Sequence, residues 1–126
     1  MLGRSGSSSW GVALDAPDAR DLAQFYERLL GWRTVKDDPE WATVAPPDGV
    51  AYLAFQTSAE YVPPVWPAKD GAQQMMMHLD IEVDDLDTAV AHAVSVGATL
   101  AGYQPQEDVR VMLDPAGHPF CLYVGG

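Results

Sequence analysis

Val12 and Leu14, the large apolar residues between Gly11 and Ala16, stand two apart with Ala16 continuing the beat, and the same beat returns at Leu79, Ile81 and Val83. A period of two belongs to a strand with one buried face. Each run then meets an aspartate, Asp18 or Asp85, and the period changes. Leu22, Phe25, Tyr26 and Leu29 stand at i, i+3, i+4 and i+7, as do Leu86, Ala89, Val90 and Ala93. This is the stripe of a helix with one packed side. The aspartates are placed to cap the first turns, and Gly31 and Gly97 to end the last ones in a left-handed conformation. Beyond the helices "WATVAPPDGVAYLAF" (41–55) matches "VRVMLDPAGHPFCLY" (109–123). Both read as strand, Pro-x-Gly turn and strand, the signal of a hairpin.

The pattern predicts an α+β chain folded on one plan twice, each half running strand, helix, then about three strands. The divisions are a flexible leader over 1–9, a module over 10–56, a connector over 57–75 and a second module over 76–124, with 10–126 forming a single domain. The connector holds Pro63, Pro64 and Pro67, which oppose regular structure, together with Tyr61 and Trp66.

Composition narrows the classes. With 126 residues, 48% of them apolar, the chain has the size of one globular domain with a real core. A net charge of −11 repels phosphate backbones, so nucleic acid is not an expected partner, and it attracts cations. Its ordinary role is to keep a protein soluble. No apolar run approaches the ~20 residues of a membrane helix, and "MLGRSGSSSW" lacks the apolar core of a secretory signal. A single cysteine, Cys121, allows no intrachain disulfide, which fits a reducing, cytoplasmic setting.

The segments "DARDLAQFYERLLGW", "HLDIEVDDLDTAV" with "GATL", and "DPAGHPFCLY" resemble those of the vicinal-oxygen-chelate superfamily of glyoxalases, bleomycin-resistance proteins and extradiol dioxygenases. The resemblance spans roughly residues 10–124, and the connector "PPVWPAKDGAQQMMMHLDI" resembles a bacterial glyoxalase-like branch. It implies two βαβββ modules whose curled sheets cup one cavity, and commonly a homodimer. It also implies, for the enzymes, a divalent metal held by up to four side chains from the first and last strands of each module. Carried onto this chain, those positions are Gly11, Leu53, His78 and Cys121. Glycine and leucine cannot ligate, so no standard metal site and no cofactor are expected, and His78 alone keeps a ligand's place. A rebuilt divalent site using Asp80 and Glu82, which share the His78 face by alternation, is the variant on that theme; Asp15 repeats the placement in the first module.

What the expected cavity retains is a small-molecule site with an aromatic lining and a few polar anchors. Its expected residues are His78, Trp41, Phe55, Tyr61, Trp66, Met76, Asp80, Glu82, Cys121 and Tyr123. Leu53 and Phe55 are placed on the inner face by analogy with Cys121 and Tyr123, and Met76 by alternation with His78. Met75 and Met77 are assigned to packing, His92 to solvent and His118 to hairpin geometry. Cys121 reads as a small buried residue in preference to a nucleophile. The expected function is capture of an aromatic or cationic small molecule, such as a toxic natural product. Its rivals are a lyase, isomerase or dioxygenase with a non-standard metal site, and a regulatory interaction module.

Overall fold

The computed structural model describes residues 1–125, in two compact units, Met1–Tyr61 and Val62–Gly126. The first holds β1 (Trp10–Ala16), α1 (Ala19–Leu30), β2 (Arg33–Asp37), β3 (Trp41–Ala45) and β4 (Ala51–Thr57). The second holds β5 (Leu79–Val83), α2 (Leu86–Ser95), the two-residue β6 (Thr99–Leu100), β7 (Val109–Leu113) and β8 (Pro119–Val124). Their four-stranded sheets run β1-β4-β3-β2 and β5-β8-β7-β6. In each, the first and last strands of the module pair in parallel and the others antiparallel. The doubled βαβββ plan is therefore present, as two mixed sheets each carrying one helix.

The helix ends follow from the residues that flank them. Asp18, in extended backbone, accepts from the N–H groups of Arg20 and Asp21, and Asp85 accepts from Thr88 at 2.8 Å. Each satisfies donors that a first turn leaves without partners. Gly31 closes α1 at φ 69°, its N–H bonded to the Glu27 carbonyl. At the end of α2 the Gly97 N–H reaches Val94 and the Ala98 N–H reaches Ala93, a nested pair of bonds built around a glycine one residue past the cap.

Both helices lay their apolar stripe on one face of their own sheet. In the first unit Leu22, Phe25 and Tyr26 are buried together with Val44, Leu53 and Phe55, and the Tyr26 and Phe55 rings stack at 5.4 Å. In the second unit Ala93, Met112, Phe120 and Leu122 are buried. Alternation leaves the opposite face of each sheet open, and the polar side chains of β1, β5 and β8 stand there.

The β7–β8 turn has its own clamp. The Asp114 side chain, fully buried, accepts from the N–H groups of Ala116 and His118 and contacts His118 Nδ1 at 2.8 Å. His118 thus serves the hairpin, and His92 is exposed on α2. Among the described residues no helix is long and apolar enough to cross a membrane.

Candidate functional site

Asp80 and Cys121 are direct partners in the parallel β5–β8 pair, as are Glu82 and Tyr123. With Leu79, Ile81, Phe120 and Leu122 directed to the helix side, these four residues share the open face of the second sheet. His78 lies one residue before β5 and comes onto the same face: its Nε2 is 3.0 Å from Asp80 Oδ1. The donor atoms of His78, Asp80 and Cys121 all lie within 4.8 Å of one another. They line a depression of about 280 Å³ together with Gln106, Asp108, Val109, Tyr123 and Val124.

Electrostatics sets the state of the thiol. Partial burial raises the Cys121 pKa, and the neighbouring Asp80 carboxylate raises it further through its charge and by accepting the thiol's hydrogen bond. A thiol held protonated in this way is a poor nucleophile. Cys121 therefore acts here as a donor towards Asp80, and the trio is a hydrogen-bonding group whose central member is the carboxylate.

The first unit offers a different surface. Trp41, Thr43 and Ala45 of β3 and Ala51 and Tyr52 of β4, with Ser9, Val35, Gly49 and Val50, line a groove of about 360 Å³. The Tyr52 ring lies directly over Gly11: a Cβ added at Gly11 would stand 2.4 Å from it. Only a residue without a side chain allows that approach. Farther along the same face, Gln56 Nε2 donates to Asp15 at 2.6 Å.

Several expected placements change. Phe55 and Leu53 are on the helix side of β4, because β3 pairs Val44 with Leu53 whereas β7 pairs Met112 with Phe120. The two hairpins thus differ in register by one residue, and a slip of one turns every side chain to the other face. Asp114 donates its N–H to the His118 carbonyl at the second turn; the first turn has Pro46 at the corresponding place, and proline has no N–H to give. Tyr52, Ala54 and Gln56 are consequently the open-face residues of β4, and Ala54, in place of Leu53, is the counterpart of Cys121.

Met76 is 84% exposed at φ 59°, so the alternation that would align it with His78 does not extend back to it. Trp66 is held by Tyr103, with ring centroids 6.0 Å apart and its Nε1–H donating to the Tyr103 carbonyl. Tyr61 is half-buried, its N–H bonded to Ser58. Neither Tyr61, Met76, Trp66 nor Glu82 lines either depression, whereas Trp41, His78, Asp80, Cys121 and Tyr123 do. Tyr52, Val35 and Val50 were not anticipated; the alternation of β4 marks Tyr52 once the hairpin register is set correctly. Gln106 and Asp108 come from a loop with no periodic signal.

The four-ligand metal set implied by the superfamily's enzymes does not fit these residues. Gly11 and Ala54 offer no donor, and the Tyr52 ring occupies the space above Gly11. Among the described residues, imidazole, carboxylate and thiol converge in the second module.

A family model described as a glyoxalase-like domain matches residues 11–123. Among solved structures, the chain is similar to a glyoxalase/bleomycin resistance protein from Albidiferax ferrireducens T118, at 16% identity and TM-score 0.65, covering 92% of this chain and 97% of that one. It is similar to the fosfomycin resistance protein FosX from Mesorhizobium loti, at 16% identity and TM-score 0.65 over 100% and 94%. It also resembles TnmS3, an antibiotic binding protein from Streptomyces sp. CB03234, at 18% identity and TM-score 0.57 over 100% of both chains. No protein of curated function matches the sequence. At such identities the structural likeness speaks for the fold, and the family match covers nearly the whole chain. The chain belongs to the glyoxalase-like domain family, on the vicinal-oxygen-chelate fold.

Proposed function

We propose that this chain captures a small aromatic or cationic molecule by stoichiometric binding, without the four-ligand metal chemistry of its enzymatic relatives. One observation carries the reading: in the first module the chelating corner is replaced by carbon, with the Tyr52 ring over Gly11, beside a groove lined by Trp41, Val35 and Val50. Flat rings of this kind stack on planar ligands, and apolar walls with few polar groups suit small molecules. The protonated Cys121 thiol weighs against a covalent mechanism. Two neighbours of like fold, an antibiotic binding protein and a fosfomycin resistance protein, support the same class of ligand.

Trp41 makes the reading measurable. Titrating the protein with a panel of planar aromatic and cationic antibiotics should quench tryptophan fluorescence with one ligand per chain. Trp41→Ala should weaken the strongest ligand about 2- to 12-fold, the equivalent of ~0.5–1.5 kcal/mol for one aromatic contact. Turnover of any panel compound, or tight binding left unchanged in Trp41→Ala, would remove the capture reading.

A further inference from the structure

We propose that the groove of the first module selects an uncharged planar ring system with a hydrogen-bond acceptor on its edge, and that the Thr43 hydroxyl is the donor that reads it. The proposal rests on the capture reading above and narrows it.

A β-bulge builds the recognition element. Val44 pairs with Thr34 and Thr43 with Lys36, so Val35 stands between two register partners with none of its own on β3. An extra residue of this kind bends its strand and redirects the side chains beside it. Val35 is 62% exposed and forms part of the groove wall. The Lys36 N–H donates to Thr43 Oγ1 at 3.1 Å. A threonine hydroxyl has one proton to give and two lone pairs to receive. With an N–H already at its oxygen, the hydroxyl turns its proton away from Lys36. Among the described residues that proton meets no acceptor, and Thr43 is half-buried in the groove beside Trp41. The β6–β7 pair of the second module is two residues long and has no such irregularity.

Charge narrows the ligand further. No acid, lysine or arginine lines the groove. An anion would meet the field of a −11 chain with no cationic side chain to receive it. A cation would gain only the ring faces of Trp41 and Tyr52, with no carboxylate to replace its lost water. An uncharged ring stacks on the same faces at a lower desolvation cost, and an acceptor on its edge takes the Thr43 proton. A ring that lacks the acceptor covers the hydroxyl and leaves it without a partner, which is how a polar group discriminates between ligands of equal shape. The groove volume of about 360 Å³ is near the lower end of the about 300–1,000 Å³ range of small-molecule sites, so the ligand is compact.

Three two-ring probes separate these features in calorimetric titrations of the full chain. Coumarin is neutral with a carbonyl acceptor, naphthalene is neutral without one, and N-methylquinolinium is a permanent cation. Coumarin should bind at one per chain and more tightly than N-methylquinolinium. Thr43→Val keeps the branched shape and removes the hydroxyl; it should weaken coumarin about 3- to 12-fold, the range of one neutral hydrogen bond, and naphthalene less than twofold. Retained naphthalene binding shows that the groove of the variant is intact. Thr43→Ser, which restores the donor, should hold coumarin within twofold of the parent. The donor assignment is overturned if the cation binds as tightly as coumarin, or if Thr43→Val costs coumarin no more than naphthalene, while Trp41→Ala still weakens the probes. In that outcome the capture reading stands. Binding by none of the three probes, or binding indifferent to Trp41→Ala, removes both.

Discussion

Phe55 is fully buried against Tyr26, and its truncation to alanine opens a cavity beneath α1 that the sheet cannot close. Phe55→Ala should therefore destabilise the protein by about 3–5 kcal/mol in urea unfolding, the usual cost of removing a large core ring. Phe55→Leu should keep the affinity of a groove-bound ligand unchanged, since the side chain lies on the opposite face from Tyr52. The chemistry of single residues was legible in the sequence where it depended only on type. Glycine and leucine cannot chelate, and His118 beside Gly117 belongs to a turn. The direction in which Phe55 points depended on a hairpin register fixed by backbone donors, and one proline against one aspartate altered it. Asp80 was legible as a neighbour of His78 by period two; its grip on the Cys121 thiol required the pairing of two strands distant in the chain.

The elements were the most legible level. Asp18, Asp85, Gly31 and Gly97 bracket the two helices, and the i, i+3, i+4 stripes are the faces that are covered. Local chemistry sets these features, so local sequence reports them. The cap of α2 also has a pH signature. Hydrogen bonds from the Thr88 N–H and hydroxyl hold the Asp85 pKa below the ordinary carboxylate value. A lowered folded-state pKa contributes stability that is fully present above the unfolded carboxylate pKa and is lost as pH falls through the lowered one. Asp85→Asn keeps a capping oxygen and removes the titration. In circular dichroism followed from neutral pH into the acid range, the variant should lose less stability than the parent across that window. Equal acid sensitivity in the two would place the acid-labile charge elsewhere. Connecting segments were less legible: the loop that brings Gln106 and Asp108 to the second sheet has no period to read, and Trp66 found its partner in Tyr103, 37 residues on.

At the scale of the molecule the dominant quantities are a charge of −11 and a plan repeated with unequal contents. The field of the first favours cationic ligands and is screened over about 10 Å at 0.1 M salt and about 3 Å at 1 M. A cationic ligand should therefore bind severalfold more weakly at 1 M salt, while a neutral planar ligand of similar size should be nearly indifferent. Equilibrium dialysis at the two salt concentrations separates the cases. Equal response of both would show that charge has no part in recognition. The unequal contents carry a further consequence through the contact of Tyr52 with Gly11. Any side chain introduced at residue 11 meets a ring already seated there, so a histidine placed alone at that position gains a donor atom only by expelling its neighbour. A metal donor at residue 11 therefore needs at least two coordinated substitutions, and neither is expected to help without the other. Residue 11 thus works as a steric ratchet, since a single substitution there or at Tyr52 leaves the first module without a seated donor.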